Sequence, residues 1–217
     1  MDSAADHDFS ISNEALLELC KQQDQEALRV LFKRHERPVY NMLLRMLSSR
    51  EDAEEALAEV FVKVWRAAAG FKGDCKFTTW LYKITANTAR DYLRSRMTRQ
   101  EVSMDEVMIE DIEAPQSASP EAAAINAEDR ARIVAAMARL SEEDRLLISL
   151  YHFQELDYDE IAEISGIPPG NLKVKLFRAR QRLRRFCAEQ EKDGGENELR
   201  TDTTGSSGLQ QGAADWA

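Results

Sequence analysis

An all-α chain built as two helical units is what this sequence predicts, and three observations predict it. Glycine is scarce where a fold would need it. Nine occur in 217 residues, and Gly194, Gly195, Gly205, Gly208 and Gly212 all fall in the last 24, which leaves little material for hairpin turns in the body. Runs rich in Ala, Leu, Glu, Arg and Lys favour helix. Apolar residues recur at helical spacing, most clearly at Ala53, Ala56, Leu57, Val60, Phe61, Val64, Trp65 and Ala68, where steps of three and one build a continuous stripe.

The elements follow in order. Residues 1–11 read as a flexible leader. Ser12 is placed to cap a short helix from Asn13 to Cys20 that carries Leu16, Leu17 and Cys20 on one side. A second helix follows Asp24 and carries Leu28, Leu31, Phe32, Val39, Tyr40, Leu43, Leu44 and Leu47, with Pro38 expected to kink it or mark an internal start. Ser49 caps the third, striped helix. Its first turns hold Glu51, Asp52, Glu54 and Glu55, its last Lys63 and Arg66, in the sense the helix dipole favours, and Gly70 should end it. A short loop, Phe71 to Phe77, leads to a fourth helix from about Thr78 to Arg99. Residues 100–120 lose all periodicity and read as a flexible acidic linker. Helix resumes from about Glu121 to Leu140, Ser141 caps another, and two more fill residues 158–187. Residues 188–217 are expected to be a disordered tail.

The net charge of −10 hides a block pattern. Residues 1–27 carry −6, 28–100 carry +7, 101–129 carry −9, 130–185 carry +3 and 186–217 carry −5. Two basic blocks flanked by acidic segments leave nucleic acid open as a partner.

Residues 157–186 have the shape of a helix-turn-helix. Asp157 and Glu160 form a capping box, Ser165-Gly166 supplies a left-handed stop, and Pro168-Pro169 can open a helix but not continue one. At about 100° per residue, Leu172, Leu176, Ala179, Leu183 and Phe186 share the buried face of the second helix. Lys173, Val174, Phe177 and Arg178 fall on the far side. Residues 171–185 hold seven cations and no acid. Exposed apolar groups between cations suit a major groove, where methyl contacts sit beside phosphate and base-edge hydrogen bonds.

Other chemistries find no support in the sequence. No metalloprotease, nucleophile-elbow, P-loop or dinucleotide motif occurs, and Cys20, Cys75 and Cys187 with His7, His35 and His152 lack ligand spacing. The expectation is a non-enzyme without cofactor or metal. No apolar run reaches the ~20 residues of a membrane span and the acidic N-terminus is unlike a secretory signal, so a cytoplasmic protein with no membrane insertion is expected. A stand-alone helix-turn-helix regulator would account for residues 157–186, but not for the striped helix or the aromatic loop beyond it.

Two stretches together resemble one family. Asp52-Ala53-Glu54-Glu55-Ala56-Leu57 through Val64-Trp65, then Phe71-Lys72-Gly73-Asp74 and Phe77-Thr78-Thr79-Trp80-Leu81-Tyr82 through Tyr92-Leu93, resemble region 2 of the extracytoplasmic-function sigma factors. Leu140-Ser141-Glu142-Glu143-Asp144-Arg145 and Tyr158-Asp159-Glu160-Ile161-Ala162 through Phe177-Arg178-Ala179-Arg180 resemble their region 4. The likeness spans about residues 25–187, in the family's order.

The resemblance implies a promoter-specificity subunit of bacterial RNA polymerase. Residues 12–99 would be a four-helix unit that docks on core polymerase and melts the minus-ten element. Residues 121–187 would be the helix-turn-helix unit that reads the minus-35 element. The striped helix would dock on the clamp coiled coil of the largest polymerase subunit through Glu55, Glu59, Lys63 and Arg66, and region 4 would meet the flap. Lys72, Asp74, Lys76, Phe77, Lys83, Asn87, Arg90 and Asp91 would serve minus-ten recognition. Asn87 aligns with an asparagine used near a flipped base, and Asp91 replaces an amide found in some relatives. Aromatic residues are dense here, and rings can stack on an unpaired base, but Trp65, Trp80 and Leu81 are read as packing. Asn171, Lys173, Val174, Lys175, Phe177 and Arg178 would form the minus-35 surface, with Asn171 and Val174 in place of small hydroxyl residues. An anti-sigma factor is a further implied partner, and the acidic linker would thread the polymerase's RNA-exit path.

Overall fold

The computed structural model describes residues 11–99 and 133–203, with side chains at 11–96 and 133–189. The leader's first ten residues, the linker at 100–120, the start of the following helix and residues 204–217 lie outside that set. Every regular element among the described residues is helical.

In the first lobe α1 spans Asn13–Lys21, α2 Gln25–Leu47, α3 Arg50–Ala67 and α4 Phe77–Arg99. Side chains cap the first three, at the expected Ser12 and Ser49 and also at Asp24. Ser12 accepts from the Ala15 amide, Asp24 from those of Glu26 and Ala27, and Ser49 from that of Asp52. Each satisfies amides the first turn leaves without helical partners. Pro38 lies inside α2, which runs through it as one element. Gly70 does not end α3: the helix stops at Ala67 and a 3₁₀ turn covers Ala68–Gly70.

The stripe on α3 is buried as the periodicity requires, with Ala53, Ala56, Val60 and Val64 fully covered and Phe61 edge-on to Phe32 of α2 at 4.8 Å between centroids. Leu43, Met46 and Leu47 of α2 and Leu81, Ala86 and Ala89 of α4 complete this layer. Polar bonds tie the ends. The Phe77 amide donates to Glu14 Oε1 at 3.3 Å, and Arg96 donates to the Leu47 carbonyl while pairing with Asp52, both at 3.2 Å.

The second lobe begins with helical residues 133–138, designated α5. It continues with α6 over Glu142–Ile148, a π-helical turn over Ser149–Phe153, α7 over Tyr158–Ser165 and α8 over Pro169–Thr203. Ser141 caps α6 by accepting from the Asp144 amide, and α7 carries the complete capping box of Asp157 and Glu160. Gly166 takes the left-handed conformation at φ 74°, which a residue with a Cβ adopts only with strain. Asp144, almost fully buried, receives two hydrogen bonds of 2.7 Å from Arg182, a bidentate clasp between α6 and α8.

The expected tail is where backbone and sequence reading part. α8 continues far past Phe186, through Gly194 and Gly195, to Thr203. Glu189 pairs with Arg139 at 2.6 Å and with Arg185 at 3.6 Å at the start of this extension. The Glu, Gln and Lys that follow are good helix formers, and two glycines cost about 1 kcal/mol each rather than forbidding helix.

The lobes are packed together. Buried residues of both join one apolar cluster, and α4 lies along α7 while α2 meets α6.

Candidate nucleic-acid and polymerase interfaces

The helix-turn-helix presents the surface its angular arithmetic requires. Leu172, Leu176 and Ala179 are buried, and Leu183 and Phe186 pack against the core. Val174 is 51% and Phe177 57% exposed, with Lys173 and Arg178 exposed beside them. Water covers two large apolar side chains here at a real free-energy cost, while cations surround them. Asn171 is also exposed. Lys175 is different: its ammonium pairs with Glu143 at 2.5 Å and so ties α8 to α6. Behind the surface, Lys173 Nζ lies 5.8 Å from the Tyr158 ring and Arg180 stacks on Tyr151 at 4.6 Å while donating to His152 Nε2. Burial, then the charge of Arg180, lowers the His152 pKa, which keeps that nitrogen free to accept.

The second surface is the loop 71–76 and the face of α4 that follows it. Gly73 has φ 80° and makes the loop's left-handed turn. Lys72, Asp74 and Lys76 are exposed on it. From Lys76, the last loop residue, Thr79, Lys83, Asn87 and Arg90 of α4 follow at helical spacing on one side. Asn87 and Asp91 are exposed, and Asn87 accepts from Arg90 at 3.1 Å.

Phe77 corrects the sequence reading. Its ring is 0% exposed, 5.3 Å from His35 and 6.1 Å from Trp80, and it plugs the core under α2. It is a packing residue and cannot stack on a base. Trp80 packs on Phe71 at 5.0 Å and Leu81 is fully buried, as expected of core residues.

The third surface is the outer side of α3. Glu55 and Arg66 are exposed on it. Glu59 and Lys63 pair at 2.8 Å, and Lys63 also donates to Thr88 at 3.1 Å and meets Asp91 at 3.5 Å, so it fastens α3 to α4. Val62, outside the stripe that the sequence singles out, is 46% exposed on this side.

The family models match in two places, Sigma-70 region 2 over residues 31–99 and Sigma-70 region 4 over residues 130–183. The ECF RNA polymerase sigma-E factor of Escherichia coli K12 is 32% identical over 80% of this chain and 93% of its own length. The chain belongs to the extracytoplasmic-function sigma factors. The RNA polymerase sigma-H factor of Pseudomonas aeruginosa is 30% identical over 79% of this chain and 91% of that protein. Among solved structures, CnrH bound to the cytosolic domain of CnrY has the same fold at a TM-score of 0.60 and 20% identity, covering 82% of this chain and 97% of that one. The sigma factor RpoE of Bartonella quintana, bound to the anti-sigma factor NepR, also superposes at 0.60, with 22% identity over 73% of this chain and 94% of that one.

This sigma factor therefore directs RNA polymerase to promoters and supports initiation, and it is not an enzyme. Its region 2 match covers most of α2 and all of α3 and α4, and its region 4 match covers α5 to the cationic stretch of α8. Among the described residues no helix is long and apolar enough to cross a membrane. The sequence reading missed one set of polar residues, the acids Glu142, Glu160 and Glu163 of region 4. They face region 2 across the lobe boundary, and only tertiary packing reveals it.

Proposed function

We propose that this sigma factor reads a promoter at two places, with residues 12–99 serving the minus-ten element and residues 121–187 the minus-35 element. The exposed Val174–Phe177 pair between Lys173 and Arg178 carries the reading. An apolar pair ringed by cations on the second helix of a helix-turn-helix is unfavourable in water and favourable in a major groove. Asn171 and Lys175 flank that contact. At the minus-ten element, Lys72, Lys76, Lys83 and Arg90 would hold the backbone, while Asn87, Asp74 and Asp91 offer hydrogen bonds to unstacked bases.

Glu55, Glu59 and Arg66 on the outer side of α3 dock on the clamp coiled coil of the largest polymerase subunit, with Val62 as the apolar centre of the contact and Lys63 holding the helix in place. Region 4 meets the flap, and residues 100–120 tether the two units. Relatives of this fold are held by anti-sigma factors, and this protein is proposed to have one as well. It works in the cytoplasm, on the nucleoid when bound to polymerase.

The test is reconstitution. Core polymerase with the purified protein should start transcripts at a defined set of genomic promoters. Glu55→Lys combined with Glu59→Lys should lower polymerase capture at least about tenfold, the loss of about 1.4 kcal/mol. Capture at the wild-type level by a folded double variant would remove α3 from the docking surface.

A further inference from the structure

We infer that His152 is a positioning residue of the minus-35 contact: its imidazole, with the Tyr151 ring, holds the Arg180 guanidinium fully charged beside the reading surface of α8, where it meets a backbone phosphate. The inference rests on the minus-35 reading of α8 proposed above.

Arg180 is placed with that surface. It follows Lys173 by seven residues, so it falls within about 20° of Lys173 around the helix and about 10 Å farther along the axis. Phe177 lies between them on the same side. Two contacts fix the guanidinium: Nε donates to His152 Nε2 at 2.9 Å, and Cζ lies 4.6 Å from the Tyr151 ring centroid. They engage Nε and the flat face rather than the two terminal nitrogens, and a forked pair of such nitrogens suits a phosphate. Tyr151 in turn lies 5.6 Å from Tyr158, and Lys173 Nζ lies 5.8 Å from the Tyr158 ring, so one run of rings backs both cations.

The acceptor is what sets Arg180 apart. Lys175 pairs with Glu143 and Arg182 with Asp144, so those cations of α8 are neutralised and tied to α6. An imidazole accepts through a lone pair and brings no negative charge. Burial and the charge of Arg180 hold the His152 pKa below its ordinary value, which keeps the ring neutral. Arg180 is therefore held in place without its charge being cancelled. Irregular backbone delivers the two rings that hold it. Ser149–Phe153 forms the π-helical turn, and Glu155 after it sits at φ 53°, a left-handed conformation that is strained for a residue with a Cβ. Consecutive side chains of a regular helix point about 100° apart. Here Tyr151 and His152, with rings 5.0 Å apart and at 78° to each other, converge on one guanidinium.

The test uses the full-length protein and a fluorescein-labelled duplex of mixed sequence, read by anisotropy at several salt concentrations. A phosphate contact is sequence-independent, so such a duplex reports it. Two replacements at His152 separate positioning from packing. Glutamine carries an amide at the reach of Nε2, whereas asparagine is one bond shorter and stops at the reach of Nδ1. His152 is exposed, so neither replacement disturbs the core. His152→Gln should bind within about twofold of wild type, and His152→Asn about threefold more weakly, as expected when a freed arginine must be ordered on binding. The slope of log affinity against log salt should be unchanged in both, because Arg180 keeps its charge, and should fall by about one in Arg180→Ala. In the Arg180→Ala background, His152→Asn should have no further effect. Glutamine and asparagine variants that bind alike, or an asparagine effect that persists without Arg180, overturn the inference. Lys173→Ala and Arg178→Ala are measured alongside. If neither lowers the slope, the minus-35 reading fails and the inference falls with it. If they lower it and Arg180→Ala does not, the inference alone is overturned.

Discussion

His35 shows how one residue's surroundings set a property of the whole fold. It is buried on α2 against the Phe77 ring, and its Nε2 has no hydrogen-bond partner among the described residues. Burial, with the charge of Arg34 adding to it, lowers its pKa from 6.5 to about 4. The folded state holds the ring neutral, whereas the unfolded chain takes up a proton near 6.5. The stability from that neutral ring is complete above pH 6.5 and is lost as pH falls toward 4. Urea unfolding should show a decline of up to about 3 kcal/mol across that window, beyond whatever the carboxylate caps contribute. His35→Leu removes the titrating group and should flatten this part of the profile relative to wild type. Parallel profiles would mean that the ring gains a partner or water in solution.

At the scale of elements, α8 separates two kinds of contact that one helix usually mixes. Lys173 and Arg178 carry charge, and Val174 and Phe177 carry apolar surface, on the same exposed side. Lys173→Ala and Arg178→Ala should each weaken duplex binding and lower the slope of log affinity against log salt by about one per lost phosphate contact. Val174→Ser and Phe177→Ser should change which duplexes are preferred and leave that slope unchanged. Titrations at several salt concentrations check both, and a slope lowered by the serine variants would contradict the division. This surface was legible in the sequence because it follows from helical periodicity and local caps alone. The stripe on α3, the caps at Ser12, Ser49, Ser141 and Asp157, and the glycine stop at Gly166 were legible for the same reason. Phe77 was not. It begins α4 directly after a loop, where no periodicity precedes it, and its burial depends on His35 and Trp80 arriving from other parts of the chain. The partners of Lys76, Lys83 and Arg90 were hidden too, since Glu160, Glu163 and Glu142 come from another lobe and from distant sequence.

For the whole molecule, the question is how far each part must persist for initiation to work. The cationic surface of α8 ends at Arg185, and the Asp144–Arg182 clasp and the Leu172–Leu176–Ala179 packing that hold this helix all lie before that point. The last tertiary tie among the described side chains is Arg139 with Glu189, an exposed pair worth at most about 1 kcal/mol. Residues 194–217 carry acids, glycines and a single aromatic, Trp216, so they add net negative charge to a chain that also carries a surface proposed to meet phosphate. Ending the chain at Asp193 keeps every fastening of α8 found among the described side chains and removes that charge. The shortened protein should unfold within about 0.5 kcal/mol of full length and support transcription by core polymerase within about twofold, as expected when no buried contact is lost. Its affinity for duplex DNA should not fall, and at low salt it should rise, because less anionic chain shares the promoter. Chemical unfolding and run-off transcription on a shared template test this directly. A collapse in activity with stability unchanged would assign the tail a contact of its own on polymerase, separate from both promoter-reading lobes.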